Sequence, residues 1–495
     1  MKNKIKILRL FLLVIIIGIL IGNTACEQAL EEQIYSFIGK ENFYKDADDA
    51  ESAIFGIYNG LTAGNVYDRW YFVLIGMADD QHTIHRNPLF FQMDDFNYTA
   101  DHPYVKLFWQ GIYGVINRAN VAISRIPGID MDEELRNTLV AEARFIRASM
   151  YFNLVRLWGD VPFSIDEVGD EESANIPKAS VDEIYVAIIN DLEIAEKILP
   201  LTRKSSEFGR PTQGAAKALL TDILLTREDW ASAAAKAKEV IKSGEYSLLE
   251  NFEDIFSIEN ETNSEIIHSI IFDRVNITNW MASFYHAGGT DNANCYVGAA
   301  VLQVDVKSDM WLNWSSSDLR RKFSIYDEYL SEDGTYKSVY NLSRPYPAFG
   351  KWNAPNELAV NGCPLNPIIY RYADILLMYA EALSQANNGP NQEAYEAFNM
   401  IRRRGYGQPI NQPSAYDLEL GLSASSFRDS VIKERSYEFV AETKRFFDLQ
   451  RTDQFPQILI DMGKNVNPGA KLFPIPTAEI DANSSLTTND QNEGY

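Results

Sequence analysis

Between Glu133 and Asp160 the chain reads "EELRNTLVAEARFIRASMYFNLVRLWGD", a stretch too long and too regular to be anything but helix. Its apolar residues Leu135, Leu139, Ala143, Ile146, Met150, Leu154 and Leu157 step by three or four, which places them on one helix face. Gly159 then supplies a residue that tolerates the backbone reversal at a helix end. A second run, "SVDEIYVAIINDLEIAEKIL", opens with Ser180 and carries Glu183 three residues on, the spacing of a capping box. A third, "TQGAAKALLTDILLTREDWASAAAKAKEVIKSGEYSL", reads as two alanine-rich helices joined by a turn at Arg227 to Asp229 and stopped at Gly244. Small residues on facing surfaces let two helices approach closely, and such pairs are the unit of tetratricopeptide arrays. A similar pair is expected at Ile369 to Ala386 and Gln392 to Arg404.

The segment between those pairs, about 252–364, changes character. It is rich in Gly, Asn, Ser and aromatics, with few strand-like pieces such as "EIIHSIIF". Long irregular connections inside a compact protein are usually functional. The expected architecture is mainly α: a tetratricopeptide-like helix-pair scaffold over about 40–250 and 365–455. It carries a large loop-rich insertion over about 252–364 and a C-terminal extended segment over about 456–495.

The N-terminus adds a location. Lys2, Lys4, Lys6 and Arg9 precede a short apolar run from Leu10 to Ile21, the layout of a secretory signal. That run is too short to span a bilayer comfortably, since a spanning helix needs roughly twenty residues. Thr24 and Ala25 precede Cys26 in an arrangement that resembles a bacterial lipobox, with Asn23 where an aliphatic residue is usual. The expectation is a lipoprotein signal over 1–25 and lipid attachment at Cys26. Acyl burial contributes about 0.8 kcal/mol per methylene and holds a protein to a membrane without a spanning helix. Glu27, Glu31 and Glu32 follow, like the acidic tether of surface-exposed lipoproteins of the Bacteroidetes. Cys295 and Cys363 are either a disulfide pair or two free thiols. A formal net charge of -24 excludes nucleic acid as a partner, because that recognition rests on Lys and Arg clusters.

Several candidate chemistries fail on pattern. Glu434, Glu438 and Glu442 repeat every four residues on one helix face with Arg435 and Arg445 close by, which reads as a structural ion-pair network rather than a hydrolytic carboxylate pair. His82 and His85, after Asp79 and Asp80, have metal-ligand chemistry but read as polar groups of a loop. Asp130, Asp132 and Glu134 begin like a calcium loop, yet Leu135 and Ala141 occupy positions that need glycine and glutamate. No phosphate loop, zinc-helix motif or nucleophile elbow is present. No cofactor and no metal are expected.

Aromatic-rich loops are a different matter. A sugar presents an apolar C–H face and a rim of hydroxyls, so its binding site needs flat aromatic platforms beside carboxamides, carboxylates or arginine. Trp280, Phe284 and Tyr285 lie beside Asn279 and His286, and Trp311 and Trp314 lie beside Asp309 and Asn313. A second neighbourhood, "DDQHTIHRNPLFFQMDDFNYTADH", contains Asp80, Arg86, Asn97 and Tyr98. The expected ligand set is Asp80, Arg86, Asn97, Tyr98, Trp280, Tyr285, Trp311 and Trp314. Trp158 and Trp230, on helix faces, are assigned to packing.

Taken in order, "AEARFIRASMYFNLVRLWGDVPF", "GRPTQGAAKALLTDILL", "YRYADILLMYAEAL", "FNMIRRRGYG", "IKERSYEFVAETKRFFDLQRT" and "LFPIPTAEIDANSSLTTNDQNEGY" resemble the SusD/RagB family of Bacteroidetes outer-membrane nutrient-binding lipoproteins. The resemblance implies one SusD-like domain over 26–495, a lipid anchor at the outer-membrane surface and no catalysis. It also implies capture of an oligosaccharide, or in some members a peptide, for a SusC-like TonB-dependent transporter. A surface glycoside hydrolase using loop carboxylates, or a helix-pair scaffold recruiting other envelope proteins, are the readings from other classes.

Overall fold

A computed structural model of the chain describes residues 43–62, 65–84, 87–170, 172–272, 279–291, 301–352 and 365–495. Cys26, Cys295, Cys363, His85 and Arg86 lie outside them. Helices dominate, and they stack in sequence order: Ala47–Thr62 packs on Pro103–Arg125, that on Glu133–Trp158, then Val181–Ile198, Gln213–Thr226 and Trp230–Ser243. The next layer is Tyr372–Ala386, which lies directly against Trp230–Ser243 and carries Gln392–Gly405 and Ala424–Glu438 on its other side. The insertion therefore leaves the stack and returns to the layer it left, so the helix array is interrupted in sequence but continuous in space.

The local chemistry explains the boundaries. Asp132 caps Glu133–Trp158 by accepting from Leu135 N at 2.9 Å. Ser180 Oγ accepts from Glu183 N while Glu183 Oε2 accepts from Ser180 N at 2.9 Å, so the expected capping box is present. Of the periodic residues in Glu133–Trp158 all but Leu135 are buried, and Ala141, Phe145, Ala148, Phe152 and Val155 are buried too, because this helix has neighbours on two sides. The close approach of Gln213–Thr226 and Trp230–Ser243 rests on buried Ala215, Ala216, Ala218, Ala233, Ala234 and Ala237. Gly244 ends the second of them in the left-handed conformation. Trp158 is core, and Trp230 is half-buried beneath the Arg428 guanidinium.

One boundary needs correction. Residues Ile368–Arg371 form a strand, not the start of the helix, and pair antiparallel with Ile266–Ser269 inside "EIIHSIIF". That two-stranded sheet closes the neck of the insertion. A second pairing, His82–Thr83 with Gln303–Val304, ties the insertion to the N-terminal helices. The C-terminal segment, expected to be extended, carries the short helices Gln457–Asp461 and Thr477–Ala482 and is pinned to the scaffold. Trp158 Nε1 donates to Pro474 O at 2.9 Å, and Asn492 Nδ2 donates to Trp158 O and Phe473 O at 2.9 and 2.7 Å. This clasp gives "LFPIP" and "QNEGY" their structural role. Gly494 sits at φ +94, where an added Cβ would meet Ala470 N at 2.9 Å, so only glycine fits.

The three glutamates of Ala424–Glu438 and the turn after it do form an ion-pair network, and it is almost wholly buried. Glu434 accepts from Arg320 at 2.6 Å. Glu438 accepts from Arg320 at 2.8 Å, from Arg404 at 2.5 Å and from Arg371. Glu442 accepts from Lys351 at 2.6 Å and from Arg371 at 2.9 Å, while Glu265 joins Arg371 to Arg404. These contacts join the insertion, the late helices and the strand neck at one point.

Candidate functional site

The insertion brings one short buried helix to the N-terminal end of the scaffold. Met281–Tyr285 is buried along its whole length, and Asn279 fixes its entry by donating to Leu365 O at 2.6 Å and accepting from Met281 N at 3.0 Å. Trp280, between them, is left facing outward at 38% exposure. Its backbone N–H donates to Asp68 O at 3.1 Å, which sets it beside the turn that precedes the apolar helix Trp70–Met77. The Arg69 guanidinium carbon lies 4.4 Å from the centre of the Trp280 ring and 5.3 Å from that of Trp70. Trp70 in turn stacks on Tyr104, with ring centres 3.9 Å apart.

Two polar atoms of this patch are conspicuous. Asp68 Oδ1 and Arg69 Nε are buried and have no hydrogen-bond partner among the described residues. An unmade hydrogen bond at a buried polar atom costs free energy, so each is poised to accept or donate to something that arrives. Burial pushes the Asp68 carboxyl up to about 6, against the opposing pull of Arg69. A hydroxyl donated to Asp68 favours the charged carboxylate. Ligand affinity is therefore expected to rise with pH across a window centred near 6, and Asp68→Asn to flatten that profile; titrations at pH 5 and pH 7.5 measure both.

The other expected ligand residues fall elsewhere, and four of them are buried. Asp80 is 3% exposed and accepts a two-pronged pair from Arg445, Nε to Oδ1 and Nη2 to Oδ2, both 2.7 Å. Its lone pairs are spent on holding the N-terminal helices to Arg445–Arg451. Tyr98 is buried between Phe96, His102 and Phe473. Tyr285 is fully buried against Phe349 and His82. Trp314 is 2% exposed and stacks on Tyr437 at 4.9 Å. The sequence points all four to the ligand side because they lie in aromatic-rich loops with polar neighbours; their rings and charges instead anchor those loops. Asn97 is half-buried, in the turn after Pro88–Asp94, and Trp311 is half-buried under the Arg321 guanidinium at 5.4 Å. No ring contact or hydrogen bond joins either to Trp280 among the described residues. His82 pairs with Asp79 at 2.6 Å, and no group of three metal-ligating side chains occurs among the described residues.

Sequence reasoning missed Asp68 and Arg69. The signal was there in "YDRW", residues 67–70: an acid and a base flanked by aromatics, directly before an eight-residue apolar helix that no charged pair enters without a reason.

The fold agrees with that of known proteins this chain resembles. A family model described as "SusD family" matches residues 280–495, and one described as "Starch-binding associating with outer membrane" matches residues 40–225. The chain belongs to the SusD/RagB family. SusD-like protein P2 of Formosa agariphila is 29% identical, with 100% of each chain covered. The starch-binding protein SusD of Bacteroides thetaiotaomicron is 29% identical over 186 residues, 35% of this chain and 32% of that protein. The crystal structure of a SusD homolog from Bacteroides thetaiotaomicron superposes with a TM-score of 0.81 at 26% identity, covering 93% of this chain and 99% of that one. The SusD fold thus holds across the scaffold, the insertion and the C-terminal clasp.

Proposed function

We propose that this SusD-family protein is a cell-surface lipoprotein, anchored through Cys26 in the outer membrane, that binds an oligosaccharide and passes it to a SusC-like TonB-dependent transporter. The observation that carries the reading is the grouping of Trp280, Arg69 and Asp68. An indole face, a donor fork and an acceptor with unused valences match the apolar face and hydroxyl rim of a sugar ring. The starch-binding relative and the outer-membrane family description support the same reading. No helix among the described residues is long and apolar enough to cross a membrane; the attachment proposed is the lipid on Cys26. The reading is of a receptor without catalysis.

Covering about 80 Å² of an indole contributes about 2 kcal/mol at ~25 cal/mol per Å². Isolated affinity is accordingly weak, roughly millimolar for one or two platforms after ordering costs. Capture gains its strength when the transporter encloses the ligand or the ligand is multivalent. Two measurements test this. The protein is expected to bind members of a panel of defined oligosaccharides and none of a pooled peptide library; the reverse result replaces the glycan with a peptide. Gentle detergent extraction of native membranes is expected to recover the protein with a large β-barrel attached, and recovery as a free species removes the transporter from the account.

A further inference from the structure

A cavity of about 830 Å³ opens on the insertion at a place that Trp280, Arg69 and Asp68 do not line. Its walls come from the Phe252–Phe256 turn, the helix Leu319–Ser324, the strands Ile325–Tyr326 and Glu328–Leu330, and the turn at Gly407–Ile410 that follows Gln392–Gly405. We propose that this cavity is a second ligand site, distinct from the Trp280 patch, for an oligosaccharide segment that carries no acidic groups. The proposal rests on the glycan reading of the protein given above.

The size comes first. Small-ligand clefts run to about 300–1,000 Å³, so this one lies in the upper part of that range and has room for more than a single ring. The lining is mixed in the way a sugar demands. Phe323 and Tyr326 are half-buried aromatics on the wall, and Leu319 is exposed beside them. The Tyr326 ring is held in place because its hydroxyl accepts from Ala287 N at 3.0 Å and lies 3.3 Å from His286 Nδ1. Around these stand exposed Lys322, Glu250, Glu253 and Glu328, whose side chains make no ion pair or hydrogen bond among the described residues, so their donors and acceptors are available.

Arg404 lines the cavity, is 2% exposed, and spends its two terminal nitrogens on Glu265 and Glu438, while its Nε is buried and without a partner. The charge of the rim decides the ligand class. Three free carboxylates against one free ammonium repel sulfated or uronate sugars, whereas neutral hydroxyls find acceptors and donors of both kinds. The two sites are also mechanically joined. Trp280 immediately precedes the Met281–Tyr285 helix and His286, at the cavity, immediately follows it, so a span of about 9 Å of helix separates them. A receptor whose single platforms are weak gains most from two of them on one multivalent chain.

Saturation-transfer NMR and calorimetry on the detergent-solubilised protein test this with neutral hexaoses (laminarihexaose, maltohexaose, xylohexaose and mannohexaose) and with a sulfated and a uronate hexaose. Trp280→Ala is expected to leave residual binding of at least one neutral hexaose. Adding Leu319→Ala and Lys322→Ala, both exposed positions expected to leave the melting temperature unchanged, is expected to remove it. The acidic hexaoses are expected to show no Trp280-independent binding. Loss of all hexaose binding in Trp280→Ala alone overturns the second site and leaves the receptor reading standing. Failure of the unaltered protein to bind any hexaose overturns both. Residual binding indifferent to Leu319→Ala with Lys322→Ala also overturns the assignment.

Discussion

Glu438→Ala is expected to destabilise the protein by about 3–5 kcal/mol, read as a fall in the denaturant midpoint, because it removes one partner from a fully buried charge network. Glu438 is the acceptor shared by Arg320, Arg371 and Arg404, all of them buried. Without it Arg404 keeps Glu265, Arg371 keeps Glu265 and Glu442, and Arg320 keeps Asp318 and Glu434, but each of the three buried guanidiniums loses one carboxylate partner and the hydrogen bonds it made there. The network also fixes a pH dependence. Burial alone would push the Glu438 carboxyl up, but the Arg404, Arg371 and Arg320 guanidiniums outweigh it and hold the group far below the usual carboxylate range. Glu442 and Asp448 are lowered in the same way, by Arg371 and Lys351 and by Arg435 and Arg451. At these three carboxylates the native protein thus binds fewer protons than the unfolded chain below about pH 5, and their contribution to stability, complete above that pH, falls as acid drives protons onto them. Glu438→Ala is expected to show a shallower acid limb; equal steepness in variant and parent would count against the network as its source.

Trp280→Ala is expected to weaken oligosaccharide binding at the exposed patch by about thirtyfold, the equivalent of about 2 kcal/mol of lost indole coverage. Arg69→Ala should weaken binding there by a comparable amount, since it removes both the donor fork and the group that lies against the ring at 4.4 Å. Trp311→Ala, whose ring lies under Arg321 away from this patch, is expected to change the same affinity less than twofold. Calorimetric titration with a bound hexaose separates these outcomes. Circular dichroism should show that all three variants keep their helical signal, because Trp280 and Trp311 sit at the margins of short elements and Arg69 precedes a helix rather than supporting one. Should Trp280→Ala bind as well as the parent while Trp311→Ala does not, the ligand face has been placed on the wrong loop.

How far the sequence was legible depended on whether a signal was local. Helix periods, the Ser180–Glu183 box and the Gly244 stop act within a few residues, so the scaffold could be read directly. The four-residue spacing of Glu434, Glu438 and Glu442 likewise announced a network, although their partners at 265, 320, 351, 371 and 404 could not be paired from spacing. The aromatics of the insertion were the hard case. Trp280 and Tyr285 are five residues apart in one polar-looking stretch, yet one is exposed and the other fully buried, because a five-residue helix turns them in different directions against different neighbours.

The amino-acid order alone therefore settled the helical scaffold and the ion-pairing face of the late glutamates. Tertiary structure alone decided which aromatics face solvent, that Asp80 belongs to Arg445, and that Asp68 and Arg69 meet a tryptophan more than two hundred residues away. The physical reason is range: hydrogen-bonded turns and helix faces are set by neighbours a few residues apart, whereas burial of a ring depends on whatever distant segment happens to cover it.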